Sequence, residues 1–155
     1  MISCVVACTK DYCIGKDGWM PWNLPEDLKH FRRKTLHKKL VMGRKTFEAL
    51  PQPLKNRTTY VLTRQIKEYN AENVEVIHDL SAFLKKMKEE KEDVVICGGA
   101  TVYEQALPFI EEFWISWVDG EYEGDTYFPT LNFDDLLLVS LQQKDGFIIA
   151  HYRKK

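Results

Sequence analysis

The stretch Val94-Val-Ile-Cys97-Gly98-Gly99-Ala-Thr-Val-Tyr-Glu-Gln-Ala-Leu-Pro108 decides the fold. Its first four residues form an apolar run bounded by glycine, which reads as a buried strand. Gly98 and Gly99 let the backbone approach a ligand closely, and a helix beginning near Thr101 offers free N–H groups to an anion. Strand, glycine pair and helix make one unit of a parallel α/β sheet. The spacing is not G-x-G-x-x-G, so the ordinary dinucleotide-binding fold is disfavoured.

The same pattern recurs outward from this stretch. Residues 40–42 are a short strand, Gly43-Arg44-Lys45-Thr46 opens a helix over residues 46–50, and Pro51 and Pro53 stop it. Glycine, cations and a hydroxyl at a helix start form an anion-binding arrangement, although basic residues also sit at helix starts on plain surfaces. Residues 58–63 are the next strand, ending at Arg64-Gln65. Arg44 and Arg64 both follow C-terminal strand ends, where open α/β sheets bind ligands, and together they suggest a phosphate. Either arginine alone reads equally as a solvated rim charge. Residues 73–78 alternate weakly as a strand. Residues 79–90 form an amphipathic helix with Leu80, Phe83, Leu84 and Met87 inward, capped by Asp79 or Ser81.

Ile2 to Cys8 is a continuous apolar run, read as a central strand buried on both faces. Residues 112–118 are a strand with Ser116 in its middle, and residues 119–125 an acidic loop read as solvated surface. Residues 136–142 and 147–152 pair across Asp145-Gly146 as a hairpin. The expected fold is α/β: an eight-stranded, mainly parallel sheet with a C-terminal antiparallel hairpin and four helices on both faces.

Composition narrows the function. The chain has 155 residues, 45% hydrophobic and 29% charged, which suits one soluble domain over residues 1–155. A net charge of -1 gives no general grip on nucleic acid. Cys4, Cys8, Cys13 and Cys97 show neither a C-x-x-C pair nor histidines at zinc spacing, so no metal is expected and a reducing cytoplasm fits best. The N-terminal apolar run is too short for a signal segment, and no run approaches membrane-spanning length.

Met20-Pro-Trp22-Asn-Leu-Pro25-Glu-Asp27-Leu-Lys-His-Phe31-Arg-Arg33 carries the chemistry. Pro25 suits the first turn of a helix and Asn23 can cap it. At 100° per residue, Leu24, Leu28, Phe31 and Thr35 share one stripe, and Asp27 lies on that stripe while Glu26, Lys29 and Arg33 face water. One reading has Asp27 complement the helix dipole. Glu26 already does so from the solvated face, and an inward carboxylate calls for a cationic or donor-rich ligand. The preceding loop, with Gly15, Gly18, Trp19, Met20 and Trp22, is either a lid or apolar packing on the core.

Together these residues resemble the dihydrofolate reductase family over essentially the whole length. The resemblance rests on Ile14-Gly15, Met20-Pro-Trp-Asn-Leu-Pro25 with Asp27, Leu28 and Phe31, and Met42-Gly-Arg-x-Thr-Phe47. It continues through Pro53-Leu54 with Arg57, Gly98-Gly99 with Val102-Tyr-Glu-Gln105, and Glu123-Gly-Asp-Thr-x-Phe-Pro129. It implies NADPH-dependent reduction of 7,8-dihydrofolate to tetrahydrofolate, in support of one-carbon metabolism. Asp27 would bind the pterin's amino group and ring N–H, linked by Ser116. Met20 and Trp22 would complete the catalytic set. Val5, Val6, Ala7, Phe31, Cys97 and Tyr103 would surround the pterin, with Val5 and Cys97 offering carbonyls. Leu28, Leu50 and Leu54 would wall the benzoyl ring, and Arg57 would take the α-carboxylate of the glutamate tail.

For the cofactor, the resemblance implies that Ala7, Ile14 and Gly15 hold the nicotinamide end. Gly43, Lys45, Thr46, Gly98, Gly99, Ala100, Thr101, Val102 and Tyr103 would surround the pyrophosphate. Arg44, Leu62, Thr63, Arg64 and Gln65 would hold the 2′-phosphate end. Antifolate-type inhibitors would share the substrate site, and a monomer is expected. Ser116, Ala100 and Gln52 depart from the commoner family residues. Two alternatives stand beside this reading. One is a related-fold NADPH reductase of a ribosylated pyrimidine in riboflavin synthesis; the other is a nucleotide-binding module without turnover.

Overall fold

The computed structural model describes residues 1–15 and 20–155. Its strands are β1 (Ile2–Cys8), β2 (Cys13–Gly15), β3 (Lys39–Gly43), β4 (Thr58–Leu62), β5 (Val74–Ile77), β6 (Val94–Ile96), β7 (Glu112–Val118), β8 (Thr126–Tyr127), β9 (Leu136–Lys144) and β10 (Phe147–Lys154). The helices are α1 (Pro25–Thr35), α2 (Arg44–Glu48), α3 (Leu80–Glu89) and α4 (Ala100–Ala106). Among the described residues, eight strands form one sheet in the order β5-β4-β3-β6-β1-β7-β10-β9. Neighbours from β5 to β7 are parallel, and β10 is antiparallel to both β7 and β9. The expected sheet and hairpin are present. The short antiparallel pair β2 and β8 is an addition, because strands of three and two residues show no readable period.

Cores form on both faces of the sheet. Ile2, Cys4, Val6 and Cys8 of β1 pack with Leu84 and Met87 of α3 and Val102 and Ala106 of α4. Elsewhere, Leu40, Met42, Phe47, Val61 and Val95 cluster around α2, and Phe147 and Ile149 pack with Trp22 and Leu24 at the entry to α1. One expectation for β1 is corrected. Only the Cys4–Val6–Cys8 face is closed, whereas Val5 and Ala7 stay half-buried because their face lines a cleft.

Local signals explain most helix ends. Asp79 caps α3 by accepting from the Ala82 N–H at 3.0 Å. Pro25 is the first residue of α1, as expected. Leu24 rather than Asn23 is its cap, and no side chain serves; the Leu24 carbonyl takes the N–H groups of Asp27 and Leu28 at 3.0 and 3.2 Å. α2 begins at Arg44, two residues ahead of the expected Thr46, because the extended backbone of Gly43 already ends the strand. α1 also turns a different face inward. Asp27, His30 and Thr35 are its buried residues, while Leu28 is 56% exposed. Within the stripe, Asp27, Leu28 and Phe31 open on the cleft, while Leu24 and Thr35 pack inward.

The acidic loop is also corrected, since its end is structural. A Cβ on Gly124 would lie 2.1 Å from Cys13 Sγ and 2.8 Å from the Gly15 carbonyl oxygen. The Asp125 N–H donates to that same oxygen at 3.0 Å. Gly124 therefore allows β8 to seat on β2. Gly124→Ala is expected to cost about 1–3 kcal/mol through overpacking and to lower the thermal midpoint by several degrees. An unchanged midpoint in a melting experiment would mean that β2 and β8 part freely.

Candidate active site

A cleft of about 1570 Å³ follows the C-terminal ends of the parallel strands. One small ligand fills roughly 300–1,000 Å³, so this cleft has room for two. Its walls are the turns after β3 (residues 43–46), β4 (63–65), β5 (78–81) and β6 (97–102), with α1 flanking them. Every expected site residue except Trp22 and Ser116 lines this one space.

Asp27 stands where the helix pattern put it, 9% exposed on the cleft wall. Ser116 of β7 donates its hydroxyl to Asp27 Oδ1 at 2.6 Å. Burial pushes the Asp27 carboxyl above the ordinary carboxylate range, and the Ser116 hydrogen bond opposes that push. Among the described residues no cation pairs with it. Trp22 lies behind the wall, edge-on to Tyr122 at 5.4 Å, and its indole Nε1–H is buried without an acceptor among the described residues. Tyr103 donates to the Val5 carbonyl at 2.8 Å, which leaves that oxygen one lone pair for a ligand donor. Burial pushes the Cys97 thiol to about 12, so it stays a neutral, weakly polar wall.

Arg57 lines the same cleft at 8% exposure. Its Nε–H donates to the Lys55 carbonyl at 2.8 Å and its Nη1 to Thr35 Oγ1 at 3.1 Å. Burial and then the neighbouring Arg32 lower its pKa. Among the described residues no carboxylate approaches it, so this is a buried cation open to an anion.

The other half of the cleft is lined with donors. α2 and α4 both begin on it from a glycine, with no side chain capping either start. A Cβ on Gly43 would lie 3.2 Å from Val102 Cγ2, and one on Gly99 3.2 Å from Thr46 Oγ1, so the two turns press together. The Gly43 N–H donates to the Gly98 carbonyl at 2.9 Å, and the Gly98–Gly99 peptide is cis. Arg44 pairs with Glu48 at 3.2 Å, and Glu48 also takes Lys67 and the Tyr69 hydroxyl. Those donors hold the Glu48 carboxyl at about 2. Thr63 spends its oxygen on the Gln65 N–H at 3.1 Å, shaping the turn that presents Arg64. Met20 is 42% exposed at the rim beside Ile14 and Gly15. The expected lid includes Gly18 and Trp19, which lie outside the described residues.

Comparison with known proteins agrees with this geometry. The family model described as dihydrofolate reductase matches residues 1–147. The chain belongs to the dihydrofolate reductase family. A Salmonella typhimurium dihydrofolate reductase type 3 is 40% identical over 129 residues, covering 83% of this chain and 78% of that protein. The dihydrofolate reductase of Staphylococcus haemolyticus is 35% identical over 142 residues, covering 92% and 84%. A solved structure of Enterococcus faecalis dihydrofolate reductase, complexed with NADP(H) and RAB-propyl, matches with a TM-score of 0.88 and 33% identity. It covers 100% of this chain and 96% of that one.

The structure of this dihydrofolate reductase family member also adds residues the sequence reading passed over. Arg32, His78, Ser81, Gln105, Asp125 and Thr126 all line the cleft. His78 and Ser81 follow the end of β5, so the strand-end rule that singled out Arg44 and Arg64 would have found them. Arg32 carried no signal, since it looks like an ordinary solvated helix cation.

Proposed function

We infer that this cleft catalyses NADPH-dependent reduction of 7,8-dihydrofolate to 5,6,7,8-tetrahydrofolate, with Asp27 and Arg57 binding the two ends of the substrate. One observation carries the reading: among the described residues, a buried carboxylate without a cation and a buried guanidinium without a carboxylate share one cleft. Dihydrofolate offers donors at its pterin and carboxylates at its tail, which complements both. A ribosylated pyrimidine gives Arg57 no carboxylate, and a module without turnover gives Asp27 no task.

NADPH fits the rest of the cleft. The space exceeds one ligand, two uncapped helix starts approach through glycine, and Arg44 and Arg64 flank the remaining end. Lys45, Thr46 and the turn over residues 98–101 take the pyrophosphate, and the backbone of Ala7 and Ile14 holds the carboxamide. When bound, NADPH supplies the hydride that adds to pterin C6.

The chain's own residues do the remaining work. Asp27 holds the pterin's amino group and ring N–H, and its charge raises the basicity of N5. It lies too far around the ring to protonate N5, so water entering past Met20 delivers that proton. Ser116 favours the ionised carboxylate by donating to it, against the opposite push of burial. Phe31, Val5 and Ala7 fix the ring, and Leu28, Leu50 and Leu54 wall the benzoyl group. Rate enhancement would come mainly from positioning substrate beside cofactor in one cleft and excluding bulk water. Antifolate-type inhibitors with the same donors compete for Asp27.

A reducing, cytoplasmic setting is the reading the thiols support. All four cysteines are free thiols, and none of the described helices is long and apolar enough to cross a membrane.

Adding dihydrofolate to protein and NADPH should remove the absorbance of the reduced nicotinamide. A folded protein that leaves it unchanged overturns the assignment. Arg44→Ala should weaken NADPH by about ten- to a hundredfold, since a hydrogen bond to a charged group contributes roughly 1.5–3 kcal/mol. NADH, which lacks the 2′-phosphate, should lose little in the same titration. Equal losses for both cofactors would move Arg44 away from the 2′-phosphate.

A further inference from the structure

The last turn of α1 is stitched to the segment that carries Arg57. The His37 N–H donates to the Asn56 carbonyl at 2.8 Å, and the Thr58 N–H to the Lys38 carbonyl at 3.2 Å. Within this seam Thr35 is fully buried. Its hydroxyl donates back to the Phe31 carbonyl at 2.8 Å, one helical turn earlier. That commits the hydroxyl hydrogen, so the oxygen can serve Arg57 only as an acceptor, and it accepts from Nη1 at 3.1 Å. The Lys55 carbonyl takes Nε–H. Of five guanidinium N–H donors, these two bonds leave three for the cleft.

A neutral acceptor suits this place better than a carboxylate. Aspartate here would neutralise the guanidinium and compete with an incoming anion. Threonine fixes the plane of the fork and leaves its charge available. The same helix carries Asp27 in its first turn, eight residues before Thr35. At 1.5 Å per residue, the two positions are separated by about 12 Å along a rigid rod.

We propose that Thr35 is the positioning residue that aims Arg57 at the substrate's glutamate tail, so that α1 sets the distance between the two ends of the substrate. This rests on the dihydrofolate reading above. Asp27 registers the pterin end and Thr35, through Arg57, the tail end. The site then selects ligands in which a donor-rich ring and a carboxylate are held at that spacing, over fragments carrying only one of them.

The test compares kcat/KM for dihydrofolate with that for a 7,8-dihydropterin lacking the aminobenzoyl-glutamate tail. Thr35→Val keeps shape and β-branching but removes the acceptor. It is expected to lower the ratio of the two values by ten- to a hundredfold, through KM for dihydrofolate, which is the worth of one hydrogen bond to a charged group. Thr35→Ser, which restores the hydroxyl, should restore the ratio. A loss shared equally by both substrates, or an unchanged ratio, overturns the proposal, because a helix prop would not tell them apart. If Thr35→Val fails to fold, Thr35→Cys carries the same test, since its sulfur is a poor acceptor. Arg57→Ala separates the two levels of failure. If it lowers the ratio while Thr35→Val does not, the positioning role alone falls. If Arg57→Ala leaves the ratio intact, the tail assignment falls first.

Discussion

Asp27→Asn is expected to slow hydride transfer to dihydrofolate at neutral pH by roughly 10²–10⁴, the usual worth of a group that assists proton transfer. Asparagine keeps the size and can still accept from Ser116, so the loss isolates the charge. The same substitution should leave the ligand-free protein as stable or more so. Burial raises the Asp27 pKa in the folded chain above its unfolded value. A raised carboxyl binds its proton more tightly when folded, so its contribution to stability is complete below the unfolded pKa and is lost as pH rises through the folded one. At neutral pH the ionised, desolvated carboxylate is therefore a liability, of order 1 kcal/mol for each pKa unit. The stability gap between variant and parent should accordingly close as the solution is acidified. Acid should also partly rescue turnover, because solvent can then protonate N5 without the carboxylate's help. A purely structural Asp27 predicts the opposite pair, normal turnover in a less stable protein. Single-turnover rates and melting curves on the one variant decide between them.

What the sequence makes legible depends on whether a signal is local. Gly98-Gly99 and Gly43 could be read because each follows an apolar run and opens a helix, and both lie on the cleft with uncapped helix starts beside them. Asp27 could be read because a carboxylate on an inward stripe conflicts with its neighbours. The stripe itself misled in part. Helical period identifies which residues share a face but not whether that face meets core or cleft, so exposed Leu28 and buried His30 exchange the places hydrophobicity gives them. β2 and β8 depend on Gly124 admitting Cys13 Sγ, a contact between distant parts of the chain that no window contains. Thr35 looked like one more member of the stripe. Its partner Arg57 is 22 positions away, and only the folded chain shows which donor it meets.

Arg57→Ala should raise the dissociation constant of dihydrofolate by roughly 10²–10³. Two charge-assisted bonds from a planar fork to one carboxylate contribute about 1.5–3 kcal/mol each, reduced by solvent screening. Arg57 is 8% exposed and lacks a carboxylate of its own among the described residues, so the free protein carries the cost of burying it. Removing the side chain relieves that cost but strands the Thr35 hydroxyl oxygen and the Lys55 carbonyl. These effects oppose one another, and the thermal midpoint should move by only a few degrees. Arg57→Lys should fall between parent and alanine, because an ammonium restores the charge without the fork and cannot serve Thr35, Lys55 and a carboxylate in one plane. A pterin without the glutamate tail should lose far less affinity than dihydrofolate in the same fluorescence titration. Equal losses for both ligands would take Arg57 out of the tail site and leave its burial beside Thr35 as a matter of folding alone.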